Sequence, residues 1–371
     1  MIVGVPREIK TEEYRVAMTP VGARELVGHG HRVLIESGAG TGSSITDDDF
    51  VAVGAEVVPT ATEVFAAADM IVKVKEPQPS EIAMLEPRHV LFTYLHLAAY
   101  PAEARGLLDS GATAIAYETV QLPNGALPLL APMSEIAGRM AVQAGAHFLE
   151  RPRGGRGVLL GGVPGVAPGR VTVLGAGMAG RNAAMIAAGM GAEVVVLDVN
   201  LMPLRHLDEL RWGSVFTVKS SILAIETYVS TSELVVGAVL IPGARAPIVV
   251  SEEMVKGMKP GSVLVDISID QGGCIATARE TTHSDPVYEQ HGVIHYAVGN
   301  IPGAVPNTAT YALTNATLPY VVALADGVAP AMRRHPELLG GVNVAAGQVT
   351  NQAVAASLGM ETVDASAALG L

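Results

Sequence analysis

The chain has 371 residues, of which 49% are hydrophobic and 16% charged, and its formal net charge is −12. This length predicts two domains, because a single hydrophobic core rarely grows so large. The acidic balance argues against the basic surface that a nucleic-acid-binding protein needs, so we expect no nucleic-acid partner. Cys274 is the single cysteine, which excludes an internal disulfide and fits a reducing compartment.

The sequence also argues against export and against a membrane partner. The segment MIVGVPREIK carries charges of both signs within ten residues, which is unlike a signal peptide. The most apolar long run, residues 234–250, is interrupted by turn formers and a charge, namely Pro242, Gly243, Arg245 and Pro247. This run therefore does not predict a membrane span, and we expect a cytoplasmic protein.

Short β-branched runs alternate with alanine-rich helical stretches, which is the pattern of an α/β fold. The first predicted strands are IVGVP, RVLIES, MIVKVK and HVLFTYL, and helices are predicted over 19–28 and 61–68. A glycine- and proline-rich connection, residues 153–169, leads into a second series that runs through RVTVL, EVVVLD, LVVGAVLI, SVLVDISID and IHYAVGN. After residue 306 the pattern is purely helical, and this tail could finish the second domain or return to the first.

The segment VTVLGAGMAG places three glycines directly after an apolar strand, and a helix is predicted over 178–189. Gly175 permits a tight turn, Gly177 lets the backbone approach a pyrophosphate, and Gly180 allows close packing of helix and strand. The pyrophosphate would lie at the helix N-terminus. A glycine-rich turn that merely packs is the alternative, but strand, helix and glycines in this order favour a dinucleotide site.

Acidic residues follow two strands of this second series. Asp198 ends the strand EVVVLD, eighteen residues after Gly180, where a carboxylate accepts both ribose hydroxyls and repels a 2′-phosphate. NAD is therefore favoured over NADP. Asp270 follows the strand in SVLVDISID at the edge where an open parallel sheet binds ligands, although a turn former would explain it equally well. Val239 and Leu240 follow another strand and would contact the cofactor, or simply pack.

Three basic side chains in the first part of the chain are candidates for binding an anion. Arg15 could bind a carboxylate bidentately, and a surface ion pair with Glu12 or Glu13 is the alternative. In MIVKVK the alternation places Lys73 and Lys75 on the same face of a strand. A lysine that is partly desolvated can polarise a carbonyl, whereas an edge strand with two solvated lysines is the other interpretation.

Two further polar residues have a structural and a functional interpretation. Ser134 is a plausible N-cap of the helix that follows APMSEIAGRMA, and such a helix terminus also suits a phosphate. His96 lies within the apolar run LFTYLHLAA, where a lone histidine is more often a core residue. No cluster of histidine, cysteine and aspartate has metal-ligand spacing, so we expect no metal site.

At this point several segments match one family in the same order along the chain. The chain resembles the family of bacterial alanine dehydrogenases and pyridine-nucleotide transhydrogenases, and within it the L-alanine dehydrogenases. The segments that carry the resemblance are GVPREIKTEEYRVAMTP, KVKEP, LFTYLHLAA, LLAPMSEIAG, VLGAGMAGRNAAMIAAGMGAEVVVLD, VDISIDQGG and TYALTNATLPY, and together they reach about residue 326.

The resemblance implies a reversible NAD-dependent oxidative deamination of L-alanine to pyruvate and ammonia, by a homohexamer. It implies an NAD-binding Rossmann-type domain, residues 131–305, inserted in a discontinuous Rossmann-like substrate domain, residues 1–130 and 306–371. It also implies that Arg15 and Lys75 bind the keto acid, that His96 is the acid–base group and that Asp270 is its catalytic partner. The cofactor would contact Ser134, Gly175, Gly177, Met178, Ala179, Gly180, Asp198, Ser220, Val239, Leu240, Ile267, Ser268, Ile269, Asp270, Arg279, Val298, Gly299, Asn300 and Ile301.

Two positions depart from the family pattern. Glu12 stands where the family commonly has asparagine, and Pro203 stands where some members carry a basic residue near the adenosine ribose. A dehydrogenase of another amino or oxo acid, or an NAD(H)-binding subunit like that of a transhydrogenase, is the alternative function. Lys75, His96 and Asp270 together argue against the transhydrogenase-like subunit.

Overall fold

The structure is a computed structural model and describes residues 1–241 and 245–371. The chain divides into two compact units. Unit 1 consists of Met1–Met133 and Gly303–Leu371, and unit 2 consists of Ser134–Ile241 and Arg245–Pro302. Pro242 and Gly243, which interrupt the most apolar run of the sequence, lie outside the described residues.

The elements alternate between strand and helix over most of the described chain. The strands are β1 Ile2–Val5, β2 Arg32–Glu36, β3 Glu56–Val58, β4 Met70–Val72, β5 Val90–Thr93, β6 Thr113–Ala116, β7 Arg170–Leu174, β8 Glu193–Asp198, β9 Val215–Lys219, β10 Leu234–Gly237, β11 Val263–Asp266, β12 Val287–Gln290, β13 Val293–Tyr296, β14 Val342–Ala345 and β15 Gln348–Val349. The helices are α1 Pro20–Gly28, α2 Asp47–Val51, α3 Ala61–Ala67, α4 Pro79–Ile82, α5 Pro101–Ser110, α6 Ala131–Phe148, α7 Met178–Gly189, α8 Leu201–Glu209, α9 Ile222–Thr231, α10 Glu252–Lys256, α11 Pro306–Asp326, α12 Val328–Arg334, α13 Glu337–Gly341, α14 Gln352–Leu358 and α15 Ala365–Leu369.

The sheet of unit 1 has the strand order β15-β14-β6-β5-β4-β1-β2-β3. The strands β1 to β6 are parallel, and chain order reverses between β1 and β4. Their side chains are largely buried, as expected for parallel strands covered on both faces. Gly4 is required where α3 crosses β1, because a Cβ there would lie 2.6 Å from Val64. In such a sheet, ligands bind outside the carboxyl ends of the strands at the reversal.

The sheet of unit 2 repeats this plan with the order β12-β13-β11-β10-β7-β8-β9. The strands are parallel except β12, which pairs antiparallel with β13. Chain order reverses between β7 and β10, so the carboxyl ends of β7 and β10 mark the ligand edge of this unit. The core below that edge is built from valines, leucines and alanines of the strands, α6 and α7.

The two-domain α/β fold predicted from the sequence is confirmed. The expectation of a purely helical segment after residue 306 is wrong, because β14 and β15 extend the sheet of unit 1. β14 follows the glycine pair at the end of α13 and pairs antiparallel with β6. The strand predicted for MIVKVK ends at Val72, so Lys73 and Lys75 follow the strand. None of the helices in the described ranges combines the length and hydropathy that crossing a membrane requires.

Candidate functional site

The carboxyl edge of the unit 1 sheet carries a cluster of ionisable side chains. Each follows one of the parallel strands: Glu8 follows β1, Lys73, Lys75 and Glu76 follow β4, His96 follows β5, and Glu118 follows β6. Most of these side chains are buried, and His96 keeps 12% of its side-chain surface exposed. Buried charges are retained only when they are paired or when a site uses them, so this edge is the candidate substrate site of unit 1.

Arg15 lies in the loop after β1 and is 2% exposed. Its Nε donates to Glu13 Oε1 at 2.7 Å, and its Nη2 pairs with Glu13 Oε2. Its Nη1 lies 3.0 Å from Met133 Sδ. Arg15 does form an ion pair with Glu13, as the alternative interpretation proposed. The pair is buried, however, so its placement at the surface is wrong. Burial raises the pKa of the Glu13 carboxyl, but Arg15 and Lys75 outweigh it and lower this pKa to about 2.

Lys73 is completely buried between two carboxylates. Its Nζ lies 2.9 Å from Glu8 Oε2 and 2.8 Å from Glu81 Oε1. Burial would lower the pKa of Lys73, but the two carboxylates raise it. Burial also raises the pKa of Glu8 to about 7, against the effect of Lys73. The alternative of an edge strand with two solvated lysines is therefore wrong, because β4 is an inner strand and Lys75 is only 4% exposed.

Glu76 joins the predicted substrate ligand Lys75 to His96. Burial raises the pKa of Glu76, but Lys75, Lys10 and His96 together lower it, so these three side chains surround the carboxylate. Lys10 Nζ binds Glu76 Oε1 directly. The backbone of Lys75 is fixed by Thr93, whose Oγ1 donates to the Lys75 carbonyl at 2.8 Å. Glu76 thus lies within electrostatic range of both Lys75 and His96, and sequence reasoning missed this carboxylate.

His96 has a backbone φ of 49°, in the left-handed region that few residues other than glycine adopt. Glu118 holds this turn, because its Oε1 accepts from the His96 N–H at 2.6 Å and from the Leu95 N–H at 3.2 Å. The same oxygen lies 3.8 Å from His96 Nδ1, and the Tyr94 ring is parallel to the imidazole at 5.8 Å. Strain at a half-buried histidine beside a carboxylate is typical of a functional position rather than of core packing.

In unit 2, the glycine loop joins β7 to α7 and fits a dinucleotide. Gly175 has a φ of 103°, and a Cβ there would lie 2.4 Å from the Ala238 carbonyl oxygen. A Cβ at Gly180 would lie 1.8 Å from the Gly175 oxygen. By contrast, a Cβ at Gly177 would meet no atom within 4 Å. Gly175 and Gly180 are therefore required by packing, whereas Gly177, followed by Met178 and Ala179 at the start of α7, faces open space where a pyrophosphate could approach.

Asp198 ends β8 beside this loop. Its Oδ2 accepts from the Ala176 N–H at 2.7 Å, and its Oδ1 accepts from the Asn200 N–H at 2.7 Å. Ser220 follows β9, and its N–H donates to the Asp198 carbonyl at 2.9 Å. The carboxylate that would bind a ribose is thus already oriented by the loop that would hold the pyrophosphate. Pro203 lies in the first turn of α8, which begins at Leu201.

The segments after β10 and β11 meet through Ser268. Its Oγ donates to the Val239 carbonyl at 2.7 Å and accepts from the Val239 N–H at 3.1 Å. Leu240 is 43% exposed beside Val239, while Ile269 is 8% exposed and Ile267 is half-buried. Asp266, which sequence reasoning missed, caps this turn by accepting from the Ser268 N–H at 3.0 Å.

Asp270 lies in the same turn and reaches the segment after β13. Its Oδ1 accepts from the Asn300 N–H at 3.1 Å, and Asn300 has a φ of 67°. Val298 and Ile301 are buried beside it, and a Cβ at Gly299 would lie 2.1 Å from Glu280 Oε1. The predicted cofactor residues after β7, β8, β9, β10, β11 and β13 therefore lie at the carboxyl edge of one sheet.

Two predicted cofactor residues lie apart from these strand ends. Arg279 is exposed, and its guanidinium lies 4.0 Å from the centre of the Tyr288 ring. The interpretation of Ser134 as an N-cap is wrong, because α6 already begins at Ala131. Ser134 lies one turn before Gly138. A Cβ at Gly138 would lie 2.1 Å from the Ala179 carbonyl oxygen. That close approach packs α6 against the start of α7, and only a glycine permits it.

Comparisons with known proteins identify the family of this chain. The family model described as "Alanine dehydrogenase/PNT, N-terminal domain" matches residues 4–137, and its C-terminal counterpart matches residues 141–352. A curated alanine dehydrogenase of Halomonas elongata is 55% identical over 371 residues, with 100% of both chains covered.

Two solved structures extend the comparison. One described as L-alanine dehydrogenase has a TM-score of 0.91 and 51% identity, covering 97% of this chain and 99% of its own. A transhydrogenase from Sinorhizobium meliloti has a TM-score of 0.80 and 26% identity, covering 95% of this chain and 100% of its own.

Proposed function

Because the chain belongs to the alanine dehydrogenase/PNT family, we propose that it is an NAD-dependent L-alanine dehydrogenase. It interconverts L-alanine with pyruvate and ammonia. One observation carries the proposal: Arg15, Lys75 and His96 all follow the carboxyl ends of parallel strands of unit 1, where Glu13 pairs with Arg15 and Glu118 contacts His96. A subunit that only binds NAD(H) has no use for an imidazole and two cations held in this way.

We assign the substrate domain to residues 1–130 and 306–371 and the NAD-binding domain to residues 131–305. The division of the chain into unit 1 and unit 2 supports this assignment. NAD, when bound, accepts the hydride from Cα of alanine. The residues that would hold it are those at the carboxyl edge of unit 2, with the pyrophosphate at Gly177 and the ribose at Asp198.

The residues of unit 1 bind the amino acid and move its protons. Arg15 binds the substrate carboxylate, while Glu13 fixes the guanidinium from the other side. Lys75 donates to the carboxylate or to the oxygen of the keto acid. Both side chains are buried, so water is largely excluded and positioning contributes much of the rate.

His96 acts as acid and base after the hydride has left. Alanine has then become an iminium, to which water adds while His96 removes one proton from that water. His96 returns this proton to the nitrogen and then takes the proton of the hydroxyl group, so that ammonia leaves as the carbonyl of pyruvate forms and His96 releases one proton to solvent. Imidazole is the side chain that both takes and gives a proton near neutral pH. We propose Asp270 as the catalytic partner of His96.

The proposed enzyme is a homohexamer in the cytoplasm. The resemblance of the chain to its family supports the hexamer, as do large apolar side chains exposed on unit 2, among them Ile222 at 77% and Leu223 at 73%. The single cysteine of the chain supports a reducing compartment.

The activity is tested by mixing the protein with pyruvate, ammonium and NADH and following the absorbance of NADH. We expect NADH to be consumed only when pyruvate and ammonium are both present. Glyoxylate and larger oxo acids, each supplied in place of pyruvate, separate an alanine dehydrogenase from a dehydrogenase of another amino acid. If the protein consumes no NADH with any oxo acid but exchanges hydride between two nicotinamide nucleotides, the result supports the transhydrogenase-like alternative instead.

Asp198→Asn is expected to reduce the preference for NAD over NADP. The asparagine keeps an oxygen that can accept from Ala176 or Asn200, so the loop persists, but the charge that repels a 2′-phosphate is lost. The ratio of kcat/KM for NADH and NADPH measures the preference. An unchanged ratio, with normal folding, would show that Asp198 does not contact the ribose.

A further inference from the structure

A second cluster of ionisable groups lies at the opposite edge of the unit 1 sheet. It consists of His29, His31 and Asp326, and one ligand atom of each lies within 4.8 Å of the others. His31 directly precedes β2, so the cluster is at the amino end of a parallel strand, whereas His96 follows the carboxyl end of β5. We propose that this cluster, which we call the His-Gly-His site, binds a divalent transition ion, with Zn²⁺ as the ion it fits best.

Two of the distances between the ligand atoms are close to those in the coordination sphere of such an ion. His31 Nε2 is 3.0 Å and His29 Nδ1 is 3.5 Å from Asp326 Oδ1. Ligand atoms at about 2.0–2.2 Å from a tetrahedral zinc are about 3.3–3.6 Å apart, so the 3.0 Å contact of His31 with Asp326 has to lengthen slightly around an ion. Two imidazoles and a carboxylate are nitrogen and oxygen donors that zinc accepts, and a fourth position remains for water.

The local backbone explains why both imidazoles face the same point. Gly30, between the two histidines, has a φ of 83°, and this left-handed residue turns the chain between α1 and β2. The two rings lie 6.3 Å apart with an angle of 28° between their planes. The motif H-G-H was visible in the sequence, but its third partner, Asp326, lies 295 residues after His31.

The surrounding charges favour a cation at this position. The helix α1 ends at Gly28 and α11 ends at Asp326, so two helix C-termini, which carry partial negative charge, converge there. Glu25 Oε1 lies 3.6 Å from His29 Nε2, the nitrogen turned away from Asp326. A carboxylate behind a histidine in this way orients the ring and raises its basicity as a ligand.

The test is a calorimetric titration of the chelator-treated full chain with ZnCl₂, with the visible spectrum of added Co²⁺ as a second readout. We expect one zinc per chain at this site, a cobalt spectrum typical of low coordination number, and a higher Tm with zinc. His31→Gln and Asp326→Asn should abolish binding at this site, and Glu25→Gln should weaken it by about tenfold. His147→Gln is the matched control, because His147 faces Glu150 at 3.6 Å on a solvent-exposed helix end.

If His31→Gln fails to fold, His29→Asn serves as the test instead. The His29 side chain is 40% exposed, so its replacement should leave folding intact. Loss of the zinc-dependent rise in Tm in this variant supports the site. Unchanged zinc stoichiometry and affinity in His29→Asn would overturn the proposal and place the ion elsewhere. A wild-type chain that binds neither Zn²⁺ nor Co²⁺ would overturn it as well.

Discussion

Replacing His96 with alanine is expected to lower kcat by at least about a hundredfold, the usual contribution of an acid–base group. The reason is that water addition to the iminium and collapse of the carbinolamine each need a proton moved on an oxygen or nitrogen bonded to the same carbon. Glu118 holds His96 for this role. NADH binding, followed by its fluorescence, should stay near normal, because the residues proposed to hold the nucleotide lie in unit 2. Steady-state turnover in both directions checks the prediction.

The choice of controls matters because His96 has a φ of 49°. Asparagine adopts this conformation more readily than alanine, so His96→Asn removes the imidazole with less strain. His147→Ala removes an exposed imidazole that also faces a glutamate, and it should keep full activity. Near-normal turnover in both His96 variants would contradict the catalytic role. If His96→Ala loses both activity and folded protein whereas His96→Asn stays folded, the additional loss of activity in His96→Ala is due to backbone strain.

The proposed ligand edge of the unit 2 sheet could be predicted from the sequence because the relevant signals are local. The three glycines and the helix after β7 lie within one short segment, and Asp198 ends the next strand. The alternation of strands and helices then places every strand end of a parallel sheet at one edge. These inferences need no knowledge of partners distant in sequence.

The charged network of unit 1 could not be predicted in this way because its pairs are distant in sequence. Lys73 and Glu8 are 65 residues apart, and Glu118 is 22 residues from His96. Locally, MIVKVK has the alternation of a solvated edge strand, and nothing within the segment shows that β4 is central. The same limit explains why no part of the His-Gly-His site was predicted, because Asp326 lies 295 residues after His31.

The predictions for two short strands and for the start of α6 were wrong for a different reason. β14 and β15 are too short to show a period, and their strand conformation comes from pairing with β6 and with each other. At α6, the sequence favoured Ser134 as the cap, but the helix begins at Ala131 and continues through it. Cap preferences are weak compared with the packing of Gly138 against Ala179, which fixes this helix.

Lys73→Met is expected to lower the free energy of unfolding at pH 7 by about 3–5 kcal/mol, because it leaves two buried carboxylates without their cation. Glu8 and Glu81 lie 2.9 and 2.8 Å from Lys73 Nζ. Urea denaturation measures the loss, and Lys256→Met, which removes an exposed lysine, is the control with an expected loss below about 0.5 kcal/mol.

The pH dependence of this loss separates lost charge pairing from lost packing. In the folded protein the pKa of Glu8 is raised from 4.5 to about 7, so Glu8 keeps its proton at pH values where the unfolded chain has lost it. Its stabilising contribution is complete below about pH 4.5 and declines as the pH rises to 7. Without Lys73 the pKa of Glu8 rises further, so the variant should recover part of its stability relative to wild type when the pH falls from 7 to 5. If the difference in free energy of unfolding between wild type and Lys73→Met is the same at pH 5 and pH 7, the loss comes from poor packing of the methionine. The ionisation of the carboxylates then does not depend on Lys73.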